Sequence, residues 1–89
     1  MAVNLTEDQE LRRKKLYFRA QHRGCREADI IIGGFAEREI NSLAPQELDQ
    51  FEAILDADDG EVLRWLLGLV AVPAGYSAGL IARMVARPS

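Results

Sequence analysis

Helix start and stop signals at Thr6, Gly24, Pro45, Asp58 and Pro73 with Gly75 cut this chain into five segments, each the length of one short helix. Thr6 with Gln9 three residues on forms a capping box, and Glu7, Asp8 and Glu10 favour the positive end of a helix dipole. This first segment places Leu11, Lys15, Phe18 and His22 on one face. The apolar stripe is thin, which predicts a helix on the surface of the bundle, ending near Gly24. The second segment, residues 25–40, repeats Ala28, Ile31, Ile32, Phe35 and Ile40 at helical spacing. Gly33 and Gly34 cost this helix about 1 kcal/mol each relative to Ala. A strand is the rival for Ile30 to Ile32, but a single short strand has nothing to pair with.

The third segment opens on Leu43-Ala44-Pro45-Gln46-Glu47-Leu48. Pro45 suits the first helical position, Glu47 can reach back to the cap, and Leu43 can staple onto Leu48. It buries Leu48, Phe51, Ile54 and Leu55. Asp58 and Glu61 start a short fourth helix with Val62, Trp65, Leu66 and Leu69 as its apolar face, ended or interrupted by Pro73 and Gly75. The last helix, residues 76–87, sets Leu80, Ile81, Met84 and Val85 on one side, with Arg83 and Arg87 suited to its C-terminal end. The expected fold is all-α, a single-domain bundle of about five helices over residues 1–89, with 1–5 a flexible N-terminus.

Such a chain buries roughly 60–65% of the surface its unfolded form exposes, so the core is modest. There is no room for a cleft between two domains, which counts against a conventional enzyme. The longest apolar stretch, Trp65 to Tyr76, is broken by Gly68, Pro73 and Gly75 and falls far short of the roughly 20 residues of a membrane span. The acidic N-terminus resembles neither a signal peptide nor a transit peptide, and Cys25, the only cysteine, makes no intrachain disulfide. These features predict a cytoplasmic protein without membrane insertion.

Charge is segregated along the chain. Seven basic residues and no acidic one lie between Arg12 and Arg26, while eleven acidic residues and one basic residue, Arg38, lie between Glu27 and Glu61. The basic segment 12–26 has two readings: a solvated helix face, or an electrostatic dock for phosphate or an acidic protein surface. Tyr17 and Phe18 offer stacking for a base, although Phe18 fits the core better. A nucleic-acid-binding module built on 12–26 is the alternative function, and the net charge of −3 argues against it.

No catalytic or metal-binding set emerges. One His and one Cys three residues apart lack a partner to orient them. Asp56, Asp58, Asp59 and Glu61 fail the spacing of a calcium loop and read as helix caps. Gly33-Gly34 does not follow a strand, so it serves close helix packing rather than phosphate binding. The junction Arg23-Gly24-Cys25-Arg26-Glu27 remains. Gly24 lets the chain turn and Glu27 suits a first helical turn, but neither need explains His22, Arg23 and Arg26 crowding the same corner. A missing Cβ also permits close approach of a partner, so the corner reads equally as a simple turn or a protein dock.

Leu16-Tyr17-Phe18-Arg19-Ala20-Gln21-His22-Arg23-Gly24-Cys25-Arg26-Glu27-Ala28-Asp29 resembles the signature of the succinate dehydrogenase assembly factor 2 family, whose mark is Arg-Gly-x-x-Glu, here Arg23, Gly24 and Glu27. Phe35, the acidic turn Asp56-Ala57-Asp58-Asp59 and Leu63-Arg64-Trp65-Leu66 resemble the family's second half, so the likeness covers roughly residues 11–70. Cys25 and Ala28 depart from the Met and Leu of many members, at positions read as surface or half-buried. The resemblance implies an assembly factor that is not itself an enzyme. It would bind the flavoprotein subunit of succinate dehydrogenase, or in some bacteria that of fumarate reductase, and promote covalent attachment of FAD to it. It would hold no cofactor stably and bind no nucleic acid. The partner-binding residues implied are Arg23, Gly24 and Glu27, extended to Arg19, His22, Arg26 and Asp29. A monomer in the bacterial cytoplasm is expected, or in the mitochondrial matrix if a transit peptide has been removed.

Overall fold

The structure is a computed structural model and describes residues 5–22, 24 and 26–86, with side chains from Asp8 onward. Among the described residues there are five helices: α1 (Leu5–Gln21), α2 (Arg26–Glu39), α3 (Pro45–Asp56), α4 (Asp59–Leu66) and α5 (Ala78–Val85), with a 3-10 turn at Ile40–Ser42 after α2. No strand occurs among the described residues, and Ile30 to Ile32 are helical. The expected cap at Thr6 lies inside α1, and its side chain, like residues 1–4, Arg23, Cys25 and Arg87, lies outside what is described.

The centre of the core is Ile32 and Phe35 of α2, Leu48, Phe51 and Ile54 of α3, Val62 of α4, and Leu43 just before α3, all fully buried. The Phe35 and Phe51 rings meet at a centroid distance of 5.7 Å and 48°. Leu80, Ile81 and Met84 of α5 and Trp65 of α4 close one side, and Trp65 packs on the Tyr76 ring at 4.8 Å. The inward face of α2 is the expected one, widened by Ala36. Ala28 belongs to it and is completely buried, not a surface or half-buried position. A small side chain suits an inward position of the helix against which α1 packs.

The orientation of α1 differs from the predicted one. Leu16 and Ala20, four residues apart, face the core, whereas Leu11 is exposed and Phe18 is 61% exposed. Two apolar registers compete on this helix. The winning one is backed by arginines whose long arms reach the neighbouring elements. Arg12 pairs with Asp49 (2.6 Å) and Glu52 (2.9 Å) of α3. The hydrogen bond that Arg12 donates to Asp49 chiefly, with that to Glu52, holds its guanidinium above its usual value against partial desolvation. Arg13 donates to the carbonyls of Ile40 (3.1 Å) and Leu43 (2.7 Å), satisfying backbone acceptors at the turn between α2 and α3. The basic segment therefore lies along the acidic one. Much of the charge segregation read in the sequence is complementarity within the fold.

Gly33 is buried, and Gln21 at the end of α1 donates to its carbonyl (3.0 Å). A Cβ at Gly33 would stand 2.7 Å from Gln21 Oε1, so this glycine does serve close helix packing. Gly34, next to it, is open apart from the Arg38 side chain.

The cap expectations for α3 and α4 hold. Glu47 Oε1 accepts from the Ala44 backbone N–H (2.8 Å), and Asp58 Oδ2 accepts from that of Glu61 (3.2 Å). The Ala44 hydrogen bond, helped by Arg83, draws the Glu47 carboxyl below its ordinary value despite some desolvation. A group depressed in the folded state stabilises the fold above its unfolded pKa, and that contribution is lost as pH falls through the folded value. In acid titrations followed by circular dichroism, Glu47→Gln is therefore less stable than the parent at neutral pH. The gap between them closes as pH falls below the ordinary carboxylate value of 4.5. A gap that persists unchanged at pH 2 would contradict this.

The end of α4 was misplaced from sequence. It stops at Leu66, well before Pro73, because Gly68 adopts φ +75°. Its N–H donates to the Trp65 carbonyl (3.2 Å) and that of Leu69 to the Arg64 carbonyl (2.9 Å). This is a Schellman cap with glycine in the left-handed position. Leu69 lies beyond the cap and is 70% exposed instead of in the core. A Cβ at Gly68 meets nothing within 4 Å, so Gly68→Ala strains only the backbone. We expect it to cost roughly 1–2 kcal/mol in urea unfolding.

α5 begins at Ala78 rather than Tyr76, with Ser77 Oγ accepting from the Leu80 N–H (3.1 Å). Val85, at its last turn, is exposed and not part of the core face. Arg83 pairs with Glu39 of α2 and with Glu47 of α3 (2.9 Å), and its guanidinium lies 5.8 Å from the centre of the Phe35 ring. One side chain thus joins three helices over the core.

Candidate partner-docking corner

The turn between α1 and α2 forms because α1 runs out of helix at Gln21 and Gly24 can take φ +94°. The His22 N–H still closes on the Arg19 carbonyl (3.2 Å). Asp29, in the first turn of α2, accepts from the Gly24 N–H through Oδ2 (3.4 Å), fixing the turn against the helix it introduces. Glu27 and Asp29 both stand at the positive end of α2, each placement favourable by roughly 0.3–1 kcal/mol.

Those of the predicted site residues that are described come together at this corner. Gly24, Arg26 and Glu27 are exposed, and Asp29 is half-buried. The Arg26 and Glu27 side chains make no hydrogen bond or ion pair with another described residue. A Cβ at Gly24 meets nothing within 4 Å, so the glycine is kept by its backbone angle and not by crowding within the fold. Arg23 lies outside the described residues. Arg19 pairs with Asp56 at the end of α3 (2.5 Å). That bond brings the acidic turn 56–59 beside the corner, and a shallow groove lined by Phe18, Arg19, His22, Leu55, Ala57 and Asp59 runs between them.

His22 is exposed and stacks on Phe18, with ring centroids 4.0 Å apart and planes 17° from parallel. Its Nδ1 lies 2.8 Å from the Phe18 carbonyl, which can only accept, so Nδ1 carries the proton. Phe18, expected in the core, stands exposed beside the corner. Its side chain is the wall shared by this groove and a larger one of 680 Å³ between α1 and α2, which Arg13, Lys14, Tyr17 and Glu37 also line. The signal that would have found it was Leu16 and Ala20, which claim the opposite side of α1 for the core.

Among the described residues the corner offers one imidazole, exposed carboxylates, an arginine and an aromatic face. Among the described residues no group of three or more His, Cys, Asp or Glu is placed to hold a metal ion. Nor is any helix among them long and apolar enough to cross a membrane.

Comparison with known proteins gives a consistent answer. Residues 14–88 match the family described as flavinator of succinate dehydrogenase. The chain is 42% identical over 74 residues to the FAD assembly factor SdhE of Acetobacter pasteurianus, covering 83% of this chain and 68% of that protein. It is 29% identical over 72 residues to the mitochondrial succinate dehydrogenase assembly factor 2 of Mycosarcoma maydis, covering 81% of this chain and 30% of that one. With the corresponding protein of Scheffersomyces stipitis the identity is 30% over 59 residues, 66% of this chain and 40% of the relative. The chain thus spans less than half the length of these two mitochondrial relatives. No solved structure matches it.

Proposed function

We propose that this chain, which belongs to the family of flavinators of succinate dehydrogenase, is an assembly factor that docks on the flavoprotein subunit of that enzyme and promotes its covalent attachment of FAD. It is not an enzyme in its own right. The attachment chemistry belongs to the client, and this protein holds the client in a competent arrangement. The observation that carries the reading is the α1–α2 corner, where Gly24, Arg26 and Glu27 are exposed and the two charged side chains are uncommitted within the described fold. Gly24 and Glu27 contact the client directly, joined by Arg23 through the family resemblance. Arg26 and the Phe18–His22 stack extend the contact, while Arg19 and Asp29 hold the corner in shape through Asp56 and the Gly24 N–H.

The protein works as a cytoplasmic monomer, holds no FAD of its own, and serves the flavoprotein subunit of fumarate reductase as a second client. The nucleic-acid reading finds no support, since Arg12, Arg13 and Arg19 of the basic segment are engaged with α3 and with backbone carbonyls. The test is a pull-down with each flavoprotein subunit, followed by flavin fluorescence of the denatured client with and without this protein. Capture of the client together with a rise in covalent flavin supports the reading. Equal covalent flavin in both samples would refute it.

A further inference from the structure

A second surface lies on the face where α2, α4 and α5 meet. Here a groove of 530 Å³ is lined by Ile30 and Ile31 of α2, Arg38, Leu67, and Met84 and Val85 of α5. Ile30 is 63% exposed, Leu67 55% and Val85 41%, with Leu69 and Val70 exposed in the segment that follows α4. Large apolar side chains grouped around a concavity mark an interaction site more often than a solvated surface.

Guanidinium groups lie at and beside the groove, with the Glu27 carboxylate at its corner end. Arg38 lines it and donates to the Ala86 carbonyl (3.4 Å). Arg64 precedes Leu67 by three residues, and Arg26 precedes Ile30 by one turn of α2. All three arginines are exposed, and none forms an ion pair within the described residues. Arg12, Arg19 and Arg83, by contrast, are matched by carboxylates of the same chain. The complement of an apolar groove flanked by unmatched guanidinium groups is a segment with an apolar stripe flanked by carboxylates. The groove is also continuous with the corner. Glu27 lies three and four residues before Ile30 and Ile31 on the same side of α2.

We propose that this groove takes an acidic amphipathic segment of the same flavoprotein client, making α2 the spine of one interface that runs from Glu27 to Arg38. This rests on the reading of the protein as a client-docking factor. The test measures affinity for the purified flavoprotein subunit of succinate dehydrogenase by calorimetry, with the parent, Ile30→Ser/Val85→Ser, Arg38→Glu and Glu27→Ala. The serine variant is expected to keep its circular dichroism and melting temperature and to bind at least tenfold more weakly. Arg38→Glu is expected to bind more weakly and to show a flatter dependence on salt. If Glu27→Ala weakens binding and the groove variants do not, the groove proposal is overturned and the docking corner stands. If none of the variants weakens binding, both fail. Two further controls separate other occupants. Binding of the parent to phosphatidylglycerol vesicles, abolished by the serine variant at unchanged client affinity, would overturn the proposal in favour of a membrane surface. Self-association in sedimentation, abolished in the same way, would overturn it in favour of a second copy.

Discussion

Glu27→Ala is expected to fold and melt close to the parent and to lower covalent flavin on the client at least tenfold, equivalent to about 1.4 kcal/mol of docking free energy. The two effects separate because Glu27 is exposed and its side chain bonds to no other described residue. Its share in folding is limited to the dipole of α2, roughly 0.3–1 kcal/mol. Gly24 gives a sharper comparison. Both Gly24→Ala and Gly24→Arg place a Cβ at φ +94°, so both carry the same backbone strain of roughly 1–2 kcal/mol. Neither clashes within the fold, since nothing lies within 4 Å of that Cβ. Only arginine projects bulk and charge toward a docked client. Equal loss of stability with a much larger loss of flavin in Gly24→Arg identifies a contact surface. Equal flavin in the two variants would leave Gly24 as a turn residue alone. The readout is fluorescence of the denatured, acid-precipitated client.

The largest effect on stability is expected at Phe35. Its ring is fully buried between α2 and α3, against Phe51 and under the Arg83 guanidinium. Phe35→Ala removes about 3–5 kcal/mol through lost burial and an unfilled cavity. A domain of this size holds only about 4–13 kcal/mol in total. At roughly 4–8 °C per kcal/mol, the melting temperature falls by more than about 12 °C. The vacated ring also removes the surface beneath Arg83, the side chain that links Glu39 of α2 and Glu47 of α3 to α5. Thermal melts and urea titrations measure the loss, and a drop below about 1 kcal/mol would show that the neighbouring helices collapse into the space.

The number of helices and most of their buried faces were legible in the sequence because they rest on local rules. Pro45, Glu47 and Asp58 act within one helical turn, so their roles follow from spacing. The inward faces of α2 and α3 have a single dominant apolar period. The errors share a physical origin. On α1 two weak apolar registers compete, and the choice is made by partners 27 to 40 positions away: Asp49 and Glu52 for Arg12, and the Ile40 and Leu43 carbonyls for Arg13. Local spacing does not contain that information, so Phe18 was placed on the wrong side. At the end of α4 the prolines drew attention while Gly68 made the actual stop, which moved Leu69 from core to surface. The corner itself was found from its residues. Its groove was not, because Ala57 and Asp59 approach Phe18 and His22 only once α3 lies beside α1.

The ion pairs from Arg12 to Asp49 and Glu52, and from Arg19 to Asp56, have a consequence for how the chain finds its fold. In the unfolded ensemble these charges sit in two blocks of opposite sign that follow one another along the chain. Their attraction acts before any helix is complete and biases the collapsed chain toward the α1–α3 pairing. Salt shortens the range of that attraction from about 10 Å at 0.1 M to about 3 Å at 1 M. Stopped-flow refolding is therefore expected to slow as sodium chloride is raised. Unfolding, which starts from a seam also held by Leu16 and Ala20, changes less. A refolding rate independent of salt would mean that the segregated charges act only after the helices have met.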